Sequence, residues 1–364
     1  MRSRLRDRFS VGWALLLLEL AASRSLRAQA LRGQVRGQQD EQPVAGALVY
    51  LLDSAGRPTD RTFTDEAGRF LVRATGPAEY SLLVLRIGYQ KWQSPALRLA
   101  NRDTLDYRAS VPESPVQLPA LSIETRRQCR SAPQAGATIA AMWEEARKAL
   151  ELTELTRRQN LFRFRIVRST RRLDQALVPV EDEEVDTTTL TTYQPFTSLA
   201  PESLVAAGFV RDSEGVAIYY GPDAPVLFSD AFLGHHCFRG MVPGPAESSL
   251  VGLAFEPIRG IGLPDIRGVL WLDRKTAALR HLEFHYTNVE PELGDQAGGY
   301  IEFLRLPTGA WIIRRWWIQA PIRVRGVRRS ADRPHPAGYR VRERRVLEVL
   351  TTDGRRVLQL PEEP

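Results

Sequence analysis

Short β-rich segments recur through residues 31–122 at intervals of about 8 to 12 residues, and turn signals separate them. The most apolar segments are Gly46–Leu52 and Tyr80–Ile87, and the clearest turns are Asp53–Pro58 and Asp65–Gly68. No helical period interrupts this series. Because closely spaced strands joined by tight turns must cover their apolar faces against one another, the series predicts an all-β sandwich.

The same residues resemble the carboxypeptidase regulatory-like domain, a transthyretin-like sandwich of about this length. The positions that carry the resemblance are Gly33, Val35, Pro43, Gly46, Ala47, Thr64, Asp65, Gly68, Phe70, Tyr80, Gly88 and Tyr89. The zinc ligands of the carboxypeptidase enzymes have no visible counterpart in the chain. The resemblance therefore implies a module that stabilises, spaces or binds, and that does not itself catalyse a reaction.

The first thirty residues carry the order of features that marks a secretory signal peptide. Arginines at alternate positions from Arg2 to Arg8 precede the apolar run Val11–Ala22, and Ala28 and Ala30 supply small residues before a cut after residue 30. The apolar run is shorter than the roughly 20 residues that span a bilayer. The sequence predicts export through a cleaved signal peptide, with an uncleaved membrane anchor as the alternative.

The net charge of +7 overstates the charge of the exported chain, because residues 1–30 contribute +4 of it. The +3 that remains is too small to indicate nucleic-acid binding. The chain contains two cysteines, Cys129 and Cys237. In an oxidising compartment they are predicted to form a disulfide that ties the segment between the domains to the second domain.

A second unit is predicted over residues 137–364, after a polar linker at 123–136. It opens with Ala137–Leu155, which has an apolar stripe at helical spacing. Strand segments follow, and the first of them, Phe162–Val167, alternates apolar and charged residues. The pattern predicts an α+β domain in which a long, curved antiparallel sheet packs on one helix, so the whole chain is mainly β.

One hairpin in this unit resembles LolA-like folds, which are half-barrels that cradle an acyl chain. The resemblance is carried by Gly268–Asp273, Thr276 and Leu279–Phe284. Most of the motif is what any antiparallel hairpin requires. It therefore indicates a fold and gives no functional match.

Three potential metal ligands, His281, Glu283 and His285, alternate along one predicted strand and share a face. Two imidazoles and a carboxylate could hold Zn²⁺ with one open position. A flat strand, however, spaces alternate side chains about 6.5–7 Å apart, which suits a single ion poorly. The alternative is the solvent-facing side of a strand whose Leu282 and Phe284 face the core. This second interpretation predicts no metal and no other cofactor.

A second candidate is the run His235, His236 and Cys237, since a thiolate beside imidazoles could act as a nucleophile or a soft-metal ligand. A structural disulfide at Cys237 would remove that thiolate. The sequence contains no G-x-S-x-G, no H-E-x-x-H and no phosphate-binding glycine loop. No catalytic residue is therefore predicted.

An arginine band lies between residues 314 and 345, where only Asp332 and Glu343 supply negative charge. Its members are Arg314, Arg315, Arg323, Arg325, Arg328, Arg329, Arg333, Arg340, Arg342, Arg344 and Arg345. One interpretation is a surface for an anionic lipid, a glycolipid or a polyanion. The other is an outward strand face that the acidic run Glu181–Asp186 balances in space.

Together these features predict an exported, non-enzymatic protein of the bacterial cell envelope, periplasmic or associated with the outer membrane. The sandwich would act as a spacer or binding module, and the second domain would bind an envelope protein or an anionic lipid. The alternative is a hydrolase or metalloenzyme whose site in the second domain lacks a familiar motif.

Overall fold

The structure is a computed structural model that describes residues 29–100, 104–113, 133–180, 186–214, 216–242, 244, 248–258, 260, 262–289, 296–322 and 336–361. Residues 1–28 of the predicted signal peptide and most of the predicted linker lie outside these residues, while Ala30, the last residue of that peptide, is the first of a strand. In the part of the chain that is described, no helix combines the length and the apolar character that a membrane crossing requires.

The N-terminal part is a two-layer β-sandwich, as the strand spacing predicts. Its strands are β1 (Ala30–Gly37), β2 (Leu48–Asp53), β3 (Pro58–Phe63), β4 (Arg69–Arg73), β5 (Ala78–Leu85), β6 (Trp92–Gln93), β7 (Leu97–Leu99) and β8 (Thr104–Val111). One sheet has the order β4-β1-β8, with β1 and β8 parallel, and the other has the order β3-β2-β5-β6, with β7 also on β5. Apolar side chains such as Val35, Val49, Phe70 and Leu82 fill the space between the sheets.

The turn before β4 explains several positions that carry the family resemblance. Thr64 is buried, donates from Oγ1 to the Val44 carbonyl (2.6 Å) and accepts from the Ala47 backbone N–H (2.8 Å). The Asp65 carboxylate accepts two backbone N–H bonds within the turn. Gly68 has φ +72°, and a Cβ there would lie 2.5 Å from the Val35 carbonyl oxygen. Only glycine satisfies both conditions without strain.

The second domain is one large antiparallel sheet packed on a helix, α1 (Pro133–Arg158). The helix begins four residues before the predicted start and ends three after the predicted end, so it occupies part of the predicted linker. The sheet has the order β10-β9-β19-β18-β17-β16-β15-β14-β13, with β20 paired to β19, and β11 and β12 form a separate hairpin. The predicted curved antiparallel sheet is therefore confirmed.

The strands of this domain are β9 (Phe162–Leu173), β10 (Asp186–Thr192), β11 (Val210–Ser213), β12 (Val216–Tyr219), β13 (His236–Met241), β14 (Leu250–Pro257), β15 (Asp265–Asp273), β16 (Leu279–Thr287), β17 (Gly298–Arg305), β18 (Trp311–Pro321), β19 (Tyr339–Thr351) and β20 (Arg356–Gln359). Three short helices, α2 (Pro201–Ala207), α3 (Ala224–Leu227) and α4 (Asp230–His235), were not predicted. Helices of this length are too short to show an apolar period.

Helix α1 and the sheet pack directly against each other. Met142, Leu150, Leu282 and Phe284 are each at most 1% exposed. Trp143 packs against Phe238 of β13, with ring centroids 5.3 Å apart. Because side chains of the helix fill the side of the sheet that they cover, these residues give no support to the acyl-chain cradle that the LolA-like resemblance implies.

Asp273 closes the turn of the hairpin between β15 and β16. Its carboxylate accepts from the backbone N–H groups of Lys275 and Thr276 (both 3.0 Å) and from the Arg280 guanidinium (2.7 Å). Partial burial acts to raise the pKa of Asp273, but these hydrogen bonds outweigh it and lower the pKa to about 2. The motif thus closes a turn.

This network predicts a pH dependence of stability. An aspartate is protonated near pH 4 in the unfolded chain, whereas Asp273 in the folded chain is protonated near pH 2. Its stabilising effect is therefore complete above about pH 4 and is lost as the pH falls to about 2. Urea unfolding should show that Asp273→Asn is less stable than the wild type at pH 6 and equal to it near pH 2. A difference that does not change with pH would contradict this explanation.

The sandwich docks on the second domain through helix α1. Leu48 of β2 and Ile87, which follows β5, belong to the same buried cluster as Met142 and Ala146 of the helix. The two apolar faces of β2 are thereby explained, since Val49 faces the sandwich interior while Leu48 faces the second domain. The outer face of the sandwich is therefore buried in the core of the second domain, while the sandwich interior remains a separate cluster.

A buried ion pair lies in this interface. The Lys148 ammonium contacts the Glu145 carboxylate at 2.6 Å, and the two side chains are 8% and 7% exposed. Lys148 also donates to the Tyr89 carbonyl (3.0 Å), and Glu145 accepts from the Gly88 backbone N–H (3.4 Å). Both charged groups of the helix thus bind the backbone of the sandwich, which fixes the position of the sandwich.

Two arginines, one from each domain, bind the same backbone carbonyl at this interface. Arg86 of the sandwich and Arg305 of β17 both donate to the Ala45 carbonyl, at 3.1 and 3.4 Å. Burial, followed by the nearby charge of Arg305, lowers the pKa of Arg86 to about 10. The backbones also meet there, because a Cβ on Gly46 would lie 2.3 Å from Cα of Gly309.

Candidate binding surface

The three potential metal ligands lie on the face of β16 that points away from helix α1. His281 Nε2 is 3.8 Å from Glu283 Oε1, while Glu283 and His285 are exposed. The His281 ring stacks on Tyr300, with centroids 5.2 Å apart. Among the described residues, no group of three histidine, cysteine, aspartate or glutamate side chains is placed to hold a metal ion. The structure brings these residues together only as neighbours on a strand.

His236 and Cys237 do not form a catalytic pair, because neighbouring residues of a strand point to opposite faces. The His236 side chain is fully buried and stacks on Phe232 at 3.8 Å. Its ring nitrogens lie 2.9 Å from the Phe232 carbonyl and 3.3 Å from the Asp265 carboxylate. His235 instead contacts the Ala231 carbonyl through Nδ1 (2.7 Å).

Cys237 lies on β13 and is half-buried opposite Glu256 of β14. Cys129 lies outside the described residues, so the pairing of Cys129 with Cys237 stays a prediction.

A shallow depression of about 860 Å³ opens on the sandwich. Four of the five charged side chains around it, all except Arg108, form two ion pairs. Arg32 contacts Asp106 at 2.5 Å, and Arg69 contacts Asp65 at 2.9 Å. Because these four charges are already paired locally, the depression offers no cluster of groups that would define a site.

The arginine band separates into parts with different surroundings. Arg314 pairs with Glu302 (2.9 Å), and Arg315 pairs with Glu343 (2.6 Å), which Arg345 also approaches at 3.7 Å. These carboxylates lie on the same sheet as the arginines that they pair with. Arg314 and Arg315 were predicted as part of a surface that binds an anionic partner, but each is paired with a carboxylate of its own sheet. Five further members lie outside the described residues: Arg323, Arg325, Arg328, Arg329 and Arg333.

The remaining arginines of the band share one face of β19, as their alternation predicts, and β9 adds two more. Arg344 lies directly opposite Arg168, and Arg340 lies directly opposite Arg172. Arg342 lies between them, opposite Thr170. These five arginines are called the arginine ladder below. Sequence reasoning missed Arg168 and Arg172, because nothing in the sequence pairs β9 with a strand so far along the chain.

Arg344, at one end of the ladder, packs against aromatic rings. The Arg344 guanidinium lies over the Trp316 ring, 5.2 Å from its centroid, and donates to the Pro195 carbonyl (3.0 Å). Phe196 covers the same tryptophan, with ring centroids 4.6 Å apart. Burial, and then the positive charge of Arg168, lowers the pKa of Arg344.

Arg168, Arg340 and Arg342 are exposed, and none of them forms an ion pair with a carboxylate whose side chain the structure describes, a set that leaves out Asp186. The predicted balancing run begins at Glu181, and its residues 181–185 lie outside the described part of the chain. Asp186 opens β10 opposite Thr170. Whether the acidic run balances the ladder therefore stays open.

Comparison with known proteins identifies the sandwich. The family model of the carboxypeptidase regulatory-like domain matches residues 30–112, which confirms the resemblance found in the sequence. The match is confined to the first domain. No curated protein matches the chain.

Several solved structures are similar at low TM-scores. The minor pilin GBS52 of Streptococcus agalactiae has a TM-score of 0.22 and 18% identity, and the alignment covers 27% of this chain and 48% of that one. The pilus 2b backbone protein of group B streptococcus gives 0.20 and 8%, with coverages of 24% and 42%. The major pilin BcpA of Bacillus cereus gives 0.20 and 10%, with coverages of 92% and 93%. The chain spans less than half the length of the first two pilins, and scores this low carry no functional argument.

Proposed function

We propose that the protein is an exported, non-enzymatic binding protein of the bacterial cell envelope. In this proposal the sandwich is a fixed structural element of the second domain and the arginine-rich sheet contacts an anionic partner. The order of charged, apolar and small residues at the N-terminus supports export.

The observation that carries the proposal is the docking of the sandwich on helix α1. A spacer that only separates two functions needs no shared core, whereas Leu48 and Ile87 are buried with the helix, and Lys148 binds the sandwich backbone. An interface of this kind favours a single body that presents one surface to a partner.

The contacts of His236 and His281, two candidate metal or catalytic residues, are also consistent with a binding protein. His236 is held between backbone carbonyls and a carboxylate, and His281 stacks on Tyr300. Each therefore contributes to packing where it lies. The hydrolase or metalloenzyme alternative would need a site that these contacts do not form.

Native mass spectrometry of protein purified from the periplasm tests the proposal. We expect a chain that starts at Leu31, is lighter by the two hydrogens of a disulfide and carries no metal. Reduction should add those hydrogens back. A stoichiometric metal that disappears in the variants His281→Ala or His285→Ala, or two free thiols, would contradict the proposal and favour the enzyme alternative.

A further inference from the structure

Three arginines meet beside the end of the last strand, β20. Arg314 and Arg315 belong to β18, Arg345 belongs to β19, and Arg315 lies directly opposite Arg345. Like charges in directly opposed positions destabilise a sheet unless opposite charges compensate them. These three residues are called the arginine junction below.

Two carboxylates of the described part of the chain pair with the arginine junction. Glu302 pairs with Arg314 at 2.9 Å. Glu343 pairs with Arg315 at 2.6 Å and also lies 3.7 Å from Arg345, so one carboxylate serves two guanidinium groups. These contacts leave the arginine junction with an excess of positive charge.

Two other sources of negative charge on this sheet are engaged or lie on a different strand. Glu348, the next carboxylate along β19, bridges Arg165 and Arg356. Asp186, the last residue of the acidic run, begins β10, and β9 and β19 separate that strand from β18. The nearer candidates for the counter-charge are the glutamates that follow β20.

The chain approaches the arginine junction through β20. Gln359 pairs with Glu348 of β19, and the backbone N–H of Leu360 donates to the Leu347 carbonyl (2.8 Å). The Leu360 side chain packs against the buried cluster that contains Val346. Backbone pairing and apolar packing thus hold the chain beside β19 as far as Leu360.

Glu362 and Glu363 follow directly in the sequence. Continued for three steps beyond the Glu348–Gln359 pair, the antiparallel register would bring position 362 level with Arg345. There β18 already pairs with the same side of β19, and β9 fills the other side. The chain therefore has to leave the sheet beside the arginine junction.

The space at the arginine junction is too small to enclose an external ligand. Pro361, the last residue that the structure describes, lines a cavity of about 10 Å³ together with the three arginines. A cavity of this size holds at most about one water molecule. An external anion would not be enclosed there, whereas a carboxylate on the adjoining chain can reach the exposed parts of the guanidinium groups.

We infer that Glu362 and Glu363 bind the arginine junction and thereby hold β20 on the sheet. Each guanidinium has five N–H donors, so three arginines can satisfy these two carboxylates in addition to Glu302 and Glu343. The contact is intramolecular, and it occupies the arginine junction before an anionic partner arrives. The inference goes beyond the proposed function and stands whether or not the protein binds such a partner.

Hydrogen exchange of the full exported chain measures how firmly β20 is held. The double variant Glu362→Gln and Glu363→Gln should raise the exchange rate of the Leu360 amide about fivefold, because two ion pairs of modest strength are lost. In about 1 M salt the wild type should exchange nearly as fast as the variant, since salt screens partly exposed charges. An unchanged exchange rate in the variant would overturn the inference.

A matched control removes two glutamates from the sandwich. Glu66 and Glu79 are exposed there. The double variant Glu66→Gln and Glu79→Gln should leave the exchange rate of the Leu360 amide within about 1.5-fold of the wild type. If both double variants raise the rate equally, the effect is one of net charge and the inference is wrong.

A chemical cross-link identifies the carboxylates that contact the arginine junction. The variant Arg345→Lys keeps the positive charge and supplies an amine that a carbodiimide couples to a neighbouring carboxylate. We expect coupling to Glu362 or Glu363 within one molecule. Coupling to Glu343 is also expected, because Arg345 lies 3.7 Å from it, and it shows that the reagent reaches the site.

The other coupling patterns contradict the inference. Coupling to Glu343 alone, or to the acidic run Glu181–Asp186 in place of Glu362 and Glu363, would mean that the end of the chain does not bind the arginine junction. Coupling to Glu362 or Glu363 only between two molecules would mean that a second copy supplies the carboxylates, which also overturns the inference.

Discussion

Replacing Lys148 with methionine should destabilise the protein by about 3–5 kcal/mol, because the change leaves the buried Glu145 carboxylate without its counter-charge. It also removes the donor that satisfies the Tyr89 carbonyl of the sandwich. Urea unfolding of the full exported chain measures the effect. We further expect the unfolding of the two domains to separate, since the ion pair lies where the domains meet.

Arg147, one residue earlier on the same helix, provides the control. It pairs with Glu151 at 2.8 Å but is 47% exposed, so Arg147→Met should cost less than about 1 kcal/mol. The double variant Glu145→Leu with Lys148→Met should recover most of the lost stability, because no charge is then left buried alone. A Lys148→Met protein within about 1 kcal/mol of the wild type would show that the ion pair does not hold the interface.

The second large effect is expected where the two backbones meet. Gly46→Ala would place a Cβ 2.3 Å from Cα of Gly309, at a position with φ +66°. The left-handed backbone costs alanine about 1–2 kcal/mol, and the forced separation of the domains adds about 1–3 kcal/mol. The expected loss of stability is therefore about 2–5 kcal/mol, measured again by urea unfolding.

Gly56 separates these two contributions. It has φ +76°, and a Cβ there would meet nothing within 4 Å. Gly56→Ala should therefore show the backbone cost alone, about 1–2 kcal/mol. Gly309→Ala should resemble Gly46→Ala, and the two changes should not be additive, because both act on one contact. Equal losses of stability in Gly46→Ala and Gly56→Ala would mean that the contact between Gly46 and Gly309 can open without a measurable cost.

The sandwich could be predicted because its information is local. Each turn and strand is short, and residues such as Asp65 and Gly68 act within their own turn. The alternation along β16 was equally local, and the structure places Leu282 and Phe284 in the core as that pattern predicts. The helix was recognisable from its apolar stripe.

The arginine ladder could be predicted only in part, because its other half lies on a distant strand. Alternation in β19 placed Arg340, Arg342 and Arg344 on one face, but the pairing with Arg168 and Arg172 depends on sheet order. The same dependence explains why the neutralisation of neighbouring arginines by Glu302 and Glu343 was not foreseen. Strand order is set by packing of the whole sheet.

The docking of the sandwich on the second domain could not be predicted from the sequence, for a related reason. The apolar run in β2 was interpreted only as a strand of the sandwich, and the sequence does not say what covers its second face. The structure supplies the answer in helix α1, through a buried lysine and glutamate that appear in the sequence as ordinary members of a charged helix face. Burial of a charge is decided by the partner domain.

Differential scanning calorimetry of the full exported chain tests most directly the claim that the sandwich and the second domain form one body. The structure predicts a single transition whose calorimetric and van't Hoff enthalpies agree, because Leu48 and Ile87 of the sandwich are buried in the core of the second domain. Two separate transitions in the wild type, with the smaller one assigned to the sandwich, would contradict that claim.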